Sequence, residues 1–504
     1  MQIRQYALFE TSVRLAAQAT EPSSLDLDAV ISPPAGAPRL RVPLFYDGDR
    51  TYRLRFSPET PGAWTWAIEP PAGVALDDRS SGSFDVAPST VRGPLRRAPE
   101  PHHFRYAGGE RPFVLGATAY NLVACYQRAP EEARAFVGHY ARRGFNWVRF
   151  FLQQTTWDSH GRVVWPWGGS PEEPDFGAFD RPTFRAAEAV VRLLAEAGCT
   201  ASVILLHPCD PVFRRRDDLV PVFKRYFREA VARLGAYANV VWNVANEWER
   251  GFVLDARQLE TLGAFLEEID PYGRLTSVHH YGRFEFPDRP WTDMASMQHR
   301  GLPHEVNRVA VANRAFGKPV LNEEYGYEGD NHSPPNDPAS VRHDHWALTL
   351  AGAYGTYGDK TKGPKIGAYF SSTLEDSAGA VAPDALRHLP VLMGRTRWWE
   401  MTPLNELLSG CRREEVFCLA RPGRAYLVYM TAGQDVSLDL SHVSSGTLRG
   451  EWWDPRSGEV HPAFDRPRFE ARRRWGAASV REPVAFAPPD YQHDWALYLT
   501  AHPT

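Results

Sequence analysis

An apolar run occupies residues 240–245, read V-V-W-N-V-A, and stops abruptly at Asn246-Glu247-Trp248. A run of this kind is the pattern of a parallel strand buried on both faces, because covering helices leave it no wet side. A second run, P-V-L-N-E-E-Y-G over 319–326, has the same design and also ends in acids. Around these two, further strands are predicted over 111–120, 145–151, 201–207, 275–280 and 294–299, with helices near 131–143, 181–197, 220–237, 255–269 and 383–399. For the eighth strand two segments compete, 351–357 and 366–370. Strand–helix alternation implies a parallel sheet. The prediction is an α/β fold, a (β/α)8 TIM barrel.

On either side of this region the period changes to short alternating strands with frequent turn residues, the signature of β-sandwiches. The front segments are R-L-R-V-P-L-F over 39–45, T-Y-R-L-R-F over 51–56 and P-G-A-W-T-W over 61–66, with Asp47-Gly48 as a hairpin cue. Trp64 and Trp66 fall on one face, where core filling outweighs sugar binding. The rear segments lie at 425–430, 436–440, 451–459 and 495–499, and Pro455 and Gly458 punctuate a tight turn. The expected organisation is an N-terminal sandwich over 1–97, a barrel over 98–402 and a C-terminal sandwich over 403–504.

Composition narrows the function. A net charge of -4 argues against a nucleic-acid partner, since phosphate neutralisation needs a basic surface. The cluster Arg214-Arg215-Arg216 is followed by Asp217-Asp218 and reads as a self-compensating face. Five cysteines (Cys125, Cys199, Cys209, Cys411, Cys418), widely spaced, match neither a disulfide framework nor a zinc pattern. Residues 1–10 lack a signal-peptide core and no apolar stretch would span a bilayer. A cytoplasmic protein without membrane association is expected, or a secreted one if a leader has been removed. The 16 Trp and 20 Tyr suit a carbohydrate partner, because flat rings stack on sugar C–H faces. No cofactor is expected, and no sequence feature specifies an oligomer.

In a barrel the carboxyl ends of the strands form the catalytic face. About two to three βα units fit between Glu247 and Glu324, so both acids can reach one rim. Two carboxyls in different environments can cleave a glycosidic bond, one protonating the leaving oxygen and the other attacking or stabilising the sugar cation. Glu247 would be the acid, with its pKa raised by a neighbouring charge and burial. Glu324 would be the nucleophile, kept ionised by Arg149, and Asn246 would bond the sugar 2-hydroxyl. Glu323 competes for the nucleophile role, since strand parity places the two glutamates on opposite faces without saying which faces inward. His207, His280 and His299 each end a predicted strand, where they could hold sugar hydroxyls or Glu324. They lack the close spacing of a metal helix, so no metal is expected. Trp248, Tyr281, Tyr325 and Tyr327 are further candidates for the site. His343 and His345 are read as helix caps. The long loop 152–180 carries Trp157, Trp165 and Trp167, which would either wall a saccharide site or pin the loop.

These residues resemble a known group. The segments 240–248 and 319–326 are similar to the clan A glycoside hydrolases, retaining barrels with an Asn-Glu acid/base after strand four and a Glu nucleophile after strand seven. That resemblance selects Glu324, standing before Tyr325-Gly326, over Glu323. It also puts Arg149 and His207 where family 5-like members keep an Arg and a His. A closer similarity is to apiosidase-like barrel proteins, through 111–120, N-E-E-Y-G-Y-E-G over 322–329, and the sandwich segments F-Y-D-G-D over 45–49, P-G-A-W over 61–64 and W-D-P-R-S-G over 453–458. Apiosidase members tend to carry an Asp where this chain has Glu247, so apiose specificity is not implied. The resemblance implies a retaining glycoside hydrolase acting on an oligo- or polysaccharide. An apiosidase or other furanosidase, and a catalytically silent carbohydrate-binding protein, are the alternatives.

Overall fold

The computed structural model describes residues 1–504 except 17–21, 35, 37, 78, 156–160, 215–218, 251–252, 282–285, 287, 331–335, 363–371, 444–445, 464–472, 476–482 and 503–504. Eight parallel strands form the centre: β1 (Leu115–Thr118), β2 (Trp147–Phe151), β3 (Thr200–Leu206), β4 (Val240–Ala245), β5 (Thr276–Ser277), β6 (Ala295–Met297), β7 (Val320–Asn322) and β8 (Tyr354–Tyr357). Their order is β5-β4-β3-β2-β1-β8-β7-β6. One parallel bridge, between His280 and Met297, joins the two ends and closes the barrel. Every residue of β2, β3 and β4 is buried, which is why these strands read as continuous apolar runs.

The helices fall close to their predicted places. α1 (Leu122–Arg128) and α2 (Pro130–Ala141) follow β1. α3 (Arg181–Glu196) starts at Asp180, whose side chain accepts from the Thr183 N–H, and α4 (Val220–Leu234) precedes β4. α5 (Ala256–Ile269) opens on a capping box of Asp255 and Gln258. α6 (Pro303–Asn313) and α7 (Pro338–Leu350) flank β7. The single helix predicted over 383–399 is instead two short ones, α8 (Ala382–Leu386) and α9 (His388–Met393). The break places Pro390 in the first turn of α9, where its missing N–H leaves no helical bond unmade. The eighth strand is the earlier of the two candidates. The later one, 366–370, lies outside the described residues, as do Arg215, Arg216, Asp217 and Asp218. Strand β5 is shorter than predicted, because beyond Ser277 the chain keeps only single contacts to β4, such as the His279 N–H to the Ala245 carbonyl at 3.0 Å.

Both flanking regions are sandwiches. In front, a five-stranded and a three-stranded sheet enclose Val13, Leu54, Ile31, Trp64, Trp66 and Phe84, so the two tryptophans are core. The strands Phe45–Gly48 and Thr51–Phe56 form the hairpin predicted at Asp47-Gly48, and Gly48 takes φ 101° there. Behind, a seven-stranded and a three-stranded sheet pack together, with Gly458 at φ 75° in the turn after Asp454.

Each sandwich is tied to the barrel by buried polar contacts as well as by apolar packing. Arg55 of the front sandwich donates to Glu188 of α3 at 2.9 Å and to the Arg233 carbonyl at 2.9 Å, while Arg233 donates to Glu188 at 3.1 Å and to Glu229 at 2.6 Å. Ala236 and Tyr272 from the barrel side join the sandwich core. At the rear, Arg342 of α7 makes a two-point contact with Asp494, at 2.8 and 2.9 Å, and Trp346 stacks on Tyr429 at 4.9 Å. The five cysteines are free thiols, with Cys125, Cys199 and Cys418 buried. Among the described residues, no helix is long and apolar enough to cross a membrane.

Candidate active site

Arg149 stands in the middle of β2, fully buried, and organises the carboxyl-end face. Its Nη1 donates to Glu324 Oε1 at 3.1 Å and to the Tyr120 hydroxyl at 2.9 Å, and its Nη2 donates to Asn246 Oδ1. The Tyr120 hydroxyl in turn donates to Glu324 Oε1. Oε1 of Glu324 thus receives one cationic and one hydroxyl donor, both fixed by the barrel wall. Burial works against the Arg149 charge, but Tyr120, Glu323 and Glu324 outweigh it and hold the guanidinium protonated.

Glu323 points the other way, into the barrel interior. It accepts from Asn243 Nδ2 at 3.1 Å and from the Ser296 hydroxyl, and lies 3.5 Å from Arg149 Nε. Burial raises its pKa, opposed by Arg149. The parity question therefore has a structural answer: Glu324 stands with Arg149 and Tyr120, and Glu323 is enclosed below them.

Glu247, directly after β4, takes φ 46°, a left-handed conformation that costs a non-glycine residue roughly 1 to 2 kcal/mol. The carboxyl is buried, and Arg250 Nη1 lies 3.2 Å from each of its oxygens. Burial and, second, the charge of Glu324 push its pKa up to about 7, against the lowering effect of Arg250 and a hydrogen bond with Gln298. The two acids are therefore near enough for one to feel the charge of the other.

Asn246 Oδ1 also lies 2.8 Å from His279 Nδ1. Burial and Arg149 hold the His279 imidazole well below its ordinary range, so the ring is neutral and Nδ1 is the donor. With its carbonyl oxygen taken by Arg149 and His279, Asn246 keeps its amide N–H groups for another partner.

The histidine expected here was His280. Adjacent residues on an extended segment point to opposite sides, and it is His279 that meets Asn246, 3.9 Å from Glu324 Oε1. His280 instead accepts from Trp248 Nε1 at 3.2 Å, and Trp248 packs on Phe286. His207 is fully buried against the Phe151 ring, where burial pushes its pKa down to about 3. His299 is tied by its backbone to Asn322, through bonds of 3.2 and 2.8 Å. Tyr281 is half-exposed at the rim beneath Arg250.

Three aromatic expectations are corrected. Tyr325 is buried and its hydroxyl meets His345 Nδ1 at 3.0 Å, turned toward α7 rather than the site. Trp167 is 1% exposed among Phe176, Phe213 and Tyr226, and Trp165 is 6% exposed beside it, with Nε1 donating to the Gly168 carbonyl. Apolar neighbours on all sides leave Trp167 no face for a sugar, so these rings pin the loop. Trp157 lies outside the described residues. His345 is not a cap, since it sits inside α7. Tyr327 joins Tyr120, Phe151 and Ile204 in a buried cluster. Sequence reasoning missed Tyr120, His279, Arg250 and Gln298. Tyr120 closes the predicted first-strand segment, which was the available signal. Among the described residues, no group of three or more His, Cys, Asp or Glu side chains is arranged to hold a metal.

A family model described as the apiosidase-like catalytic domain matches residues 98–361, more than half of the chain. The chain belongs to the apiosidase-like family. With this membership the barrel is that of a glycoside hydrolase, and the carboxyl pair lies within the matched segment. The flanks of the apiosidase-like chain match other models: residues 2–70 a domain of unknown function, and 408–500 a model named for a collagen-binding domain of a collagenase. Among solved structures, a glycoside hydrolase candidate from Bacteroides vulgatus is 22% identical, with TM-score 0.79, covering 99% of this chain and 100% of its own. A family 5 glycoside hydrolase from the same organism is 17% identical, with TM-score 0.66, covering 81% and 93%. At these identities the likeness is one of fold, and it extends over all three domains in the first case. No curated protein sequence matches the chain.

Proposed function

We propose that this apiosidase-like protein is a retaining glycoside hydrolase acting on an oligo- or polysaccharide, with Glu324 as nucleophile and Glu247 as acid/base. The observation that carries the reading is the split between the two carboxyls. Glu324 receives the fixed donors Arg149 and Tyr120, while Glu247 is pushed up to about 7, where it can hold a proton at neutral pH and also release it.

In the first step Glu324 attacks the anomeric carbon as Glu247 passes its proton to the leaving oxygen. In the second, water attacks the glycosyl ester and gives its proton back to Glu247, which frees Glu324. In this scheme the Asn246 amide donates to the sugar 2-hydroxyl, a bond that strengthens as positive charge develops on the ring.

The test is Glu324→Gly with an aryl glycoside. Loss of turnover, recovered with azide as a glycosyl azide of inverted anomeric configuration, supports the reading. Turnover that persists in the variant removes it, and an inactive parent that still binds glycans points to a binding protein. The family membership favours a second reading for the substrate, a furanoside. A panel of pyranosides and furanosides of both anomers separates the two.

A further inference from the structure

Arg250 has no part in the two-step scheme, yet it occupies the place where the scheme begins. Residues Trp248–Arg250 form one turn of 3-10 helix, and the Arg250 N–H bonds the Glu247 carbonyl at 3.0 Å. In that geometry side chains three apart lie one above the other. The turn therefore folds the Arg250 side chain back over Glu247, with Nη1 shared between both carboxyl oxygens at 3.2 Å.

The two partners differ sharply in exposure. The Arg250 side chain is 49% exposed and that of Glu247 is 3% exposed, so a solvent-facing arginine closes over a buried acid. A leaving-group oxygen must come within hydrogen-bond reach of one of those same oxygens to take a proton. The guanidinium stands in that position. It also lies 4.5 Å from the centre of the Tyr281 ring, which is itself 53% exposed and held through its N–H by the Glu249 carboxylate. A cation over such a ring is attracted to it, so the Tyr281 ring, already in contact, retains Arg250 when it leaves Glu247.

We propose that Arg250 is a removable cap on the acid/base: it spans both Glu247 oxygens in the empty site, and gives way over Tyr281 when the leaving-group oxygen of a substrate arrives. The proposal rests on reading Glu247 as the proton donor. Once the cap is displaced, the Glu247 proton moves to the glycosidic oxygen, the bond from that oxygen to the anomeric carbon breaks with its electron pair staying on oxygen, and Glu324 forms the new bond to carbon. When the aglycone has left, Arg250 returns to a carboxylate, the form that then accepts the proton of the attacking water. Arg250 is thus a positioning residue.

The charged and titratable groups facing Glu247 are Glu324 after β7, Cys209 after β3 and Arg250 on its own turn, and the neutral Gln298 after β6 also bonds it. Of these, Arg250 is the cation that touches the carboxyl.

The test measures kcat/KM against pH for the parent, Arg250→Gln, Arg250→Lys and Glu247→Gln, with aryl glycosides of good and poor leaving groups. Removing the cap takes a positive charge from the acid form's competitor, so Arg250→Gln moves the alkaline limb up by about one pH unit and leaves the acid limb in place. Arg250→Lys, which puts a single ammonium there, falls between. A merely structural role would lower the whole profile without moving its limb. Coincident alkaline limbs for parent and Arg250→Gln overturn the cap. Parent-like rates of Glu247→Gln on the poor leaving group overturn the proton-donor reading, and the cap falls with it. Isotope-edited NMR of the glutamate carboxyls gives the same answer without substrate, the Glu247 signal being the one absent from Glu247→Gln; that signal must titrate higher in Arg250→Gln.

Discussion

The ends of β4 and β7 are built alike in sequence and oppositely in structure. Both are apolar strands that finish in an acid. At β7 the carboxyl of Glu324 is met by Arg149 and Tyr120, groups locked in the barrel wall with almost no exposure. At β4 the carboxyl of Glu247 is buried too, but its cationic partner is a half-exposed arginine on the next turn, and burial dominates its titration. One acid is held by fixed charge and the other by removable charge. That difference matches the work proposed for two identical side chains: a nucleophile needs one ionisation state until it attacks, and an acid/base has to change state twice per turnover.

The contrast can be broken by experiment. The largest effect is expected for Glu324→Gln, which should lower kcat by roughly 10⁴-fold or more on every substrate if Glu324 is the nucleophile proposed. Glu247→Gln should cost about 10² to 10⁴-fold on a poor leaving group and far less on dinitrophenyl glycosides, which need no proton. Equal losses on both substrates in steady-state kinetics would erase the distinction between the two strand ends. Arg149→Met strands two buried carboxyls and should cost about 3 to 5 kcal/mol in chemical unfolding.

The next effect is linkage. The folded-state pKa of Glu247 lies above its ordinary value, so between about pH 4.5 and 7 the folded protein binds more protons at this site than the unfolded chain. Stability relative to Glu247→Gln should therefore be greatest below that window and fall as pH rises through it. The size is on the order of 3 kcal/mol, read from denaturant midpoints. Tyr120→Phe is the mildest change, about 1 to 2 kcal/mol in the activation barrier for kcat, because Arg149 still meets Glu324.

Much of this site was legible in the chain because parallel barrel strands are buried on both faces and announce themselves as apolar runs. Asn246-Glu247 and Glu323-Glu324 stand out as the polar residues that end them. What the pattern does not carry is phase. A period of two separates His279 from His280 and Glu323 from Glu324 without saying which of each pair faces the rim, and for the histidines the expectation fell on the wrong one. Trp165 and Trp167 failed for another reason: an indole fits a sugar face and an apolar core equally well, and Phe176, Phe213 and Tyr226 decided it. Arg250 was invisible because its role depends on a single 3-10 turn, which no periodicity marks. The break before Pro390 was missed, although the signal was there: a proline cannot serve the middle of a long helix.

The salt-bridged seam where Arg55 enters the barrel has a practical corollary. A fragment starting at residue 98 would keep Glu188 and Arg233 but lose the guanidinium lying against them, and would turn Ala236 and Tyr272 out to solvent. A fragment stopping at 361 would uncover Trp346 of α7, which now stacks on Tyr429 of the rear sheet, and would leave Arg342 without Asp494. Raw apolar ground at both cut faces invites aggregation. The catalytic barrel is thus a poor candidate for excision or domain shuffling, and the smallest piece worth expressing carries all three domains.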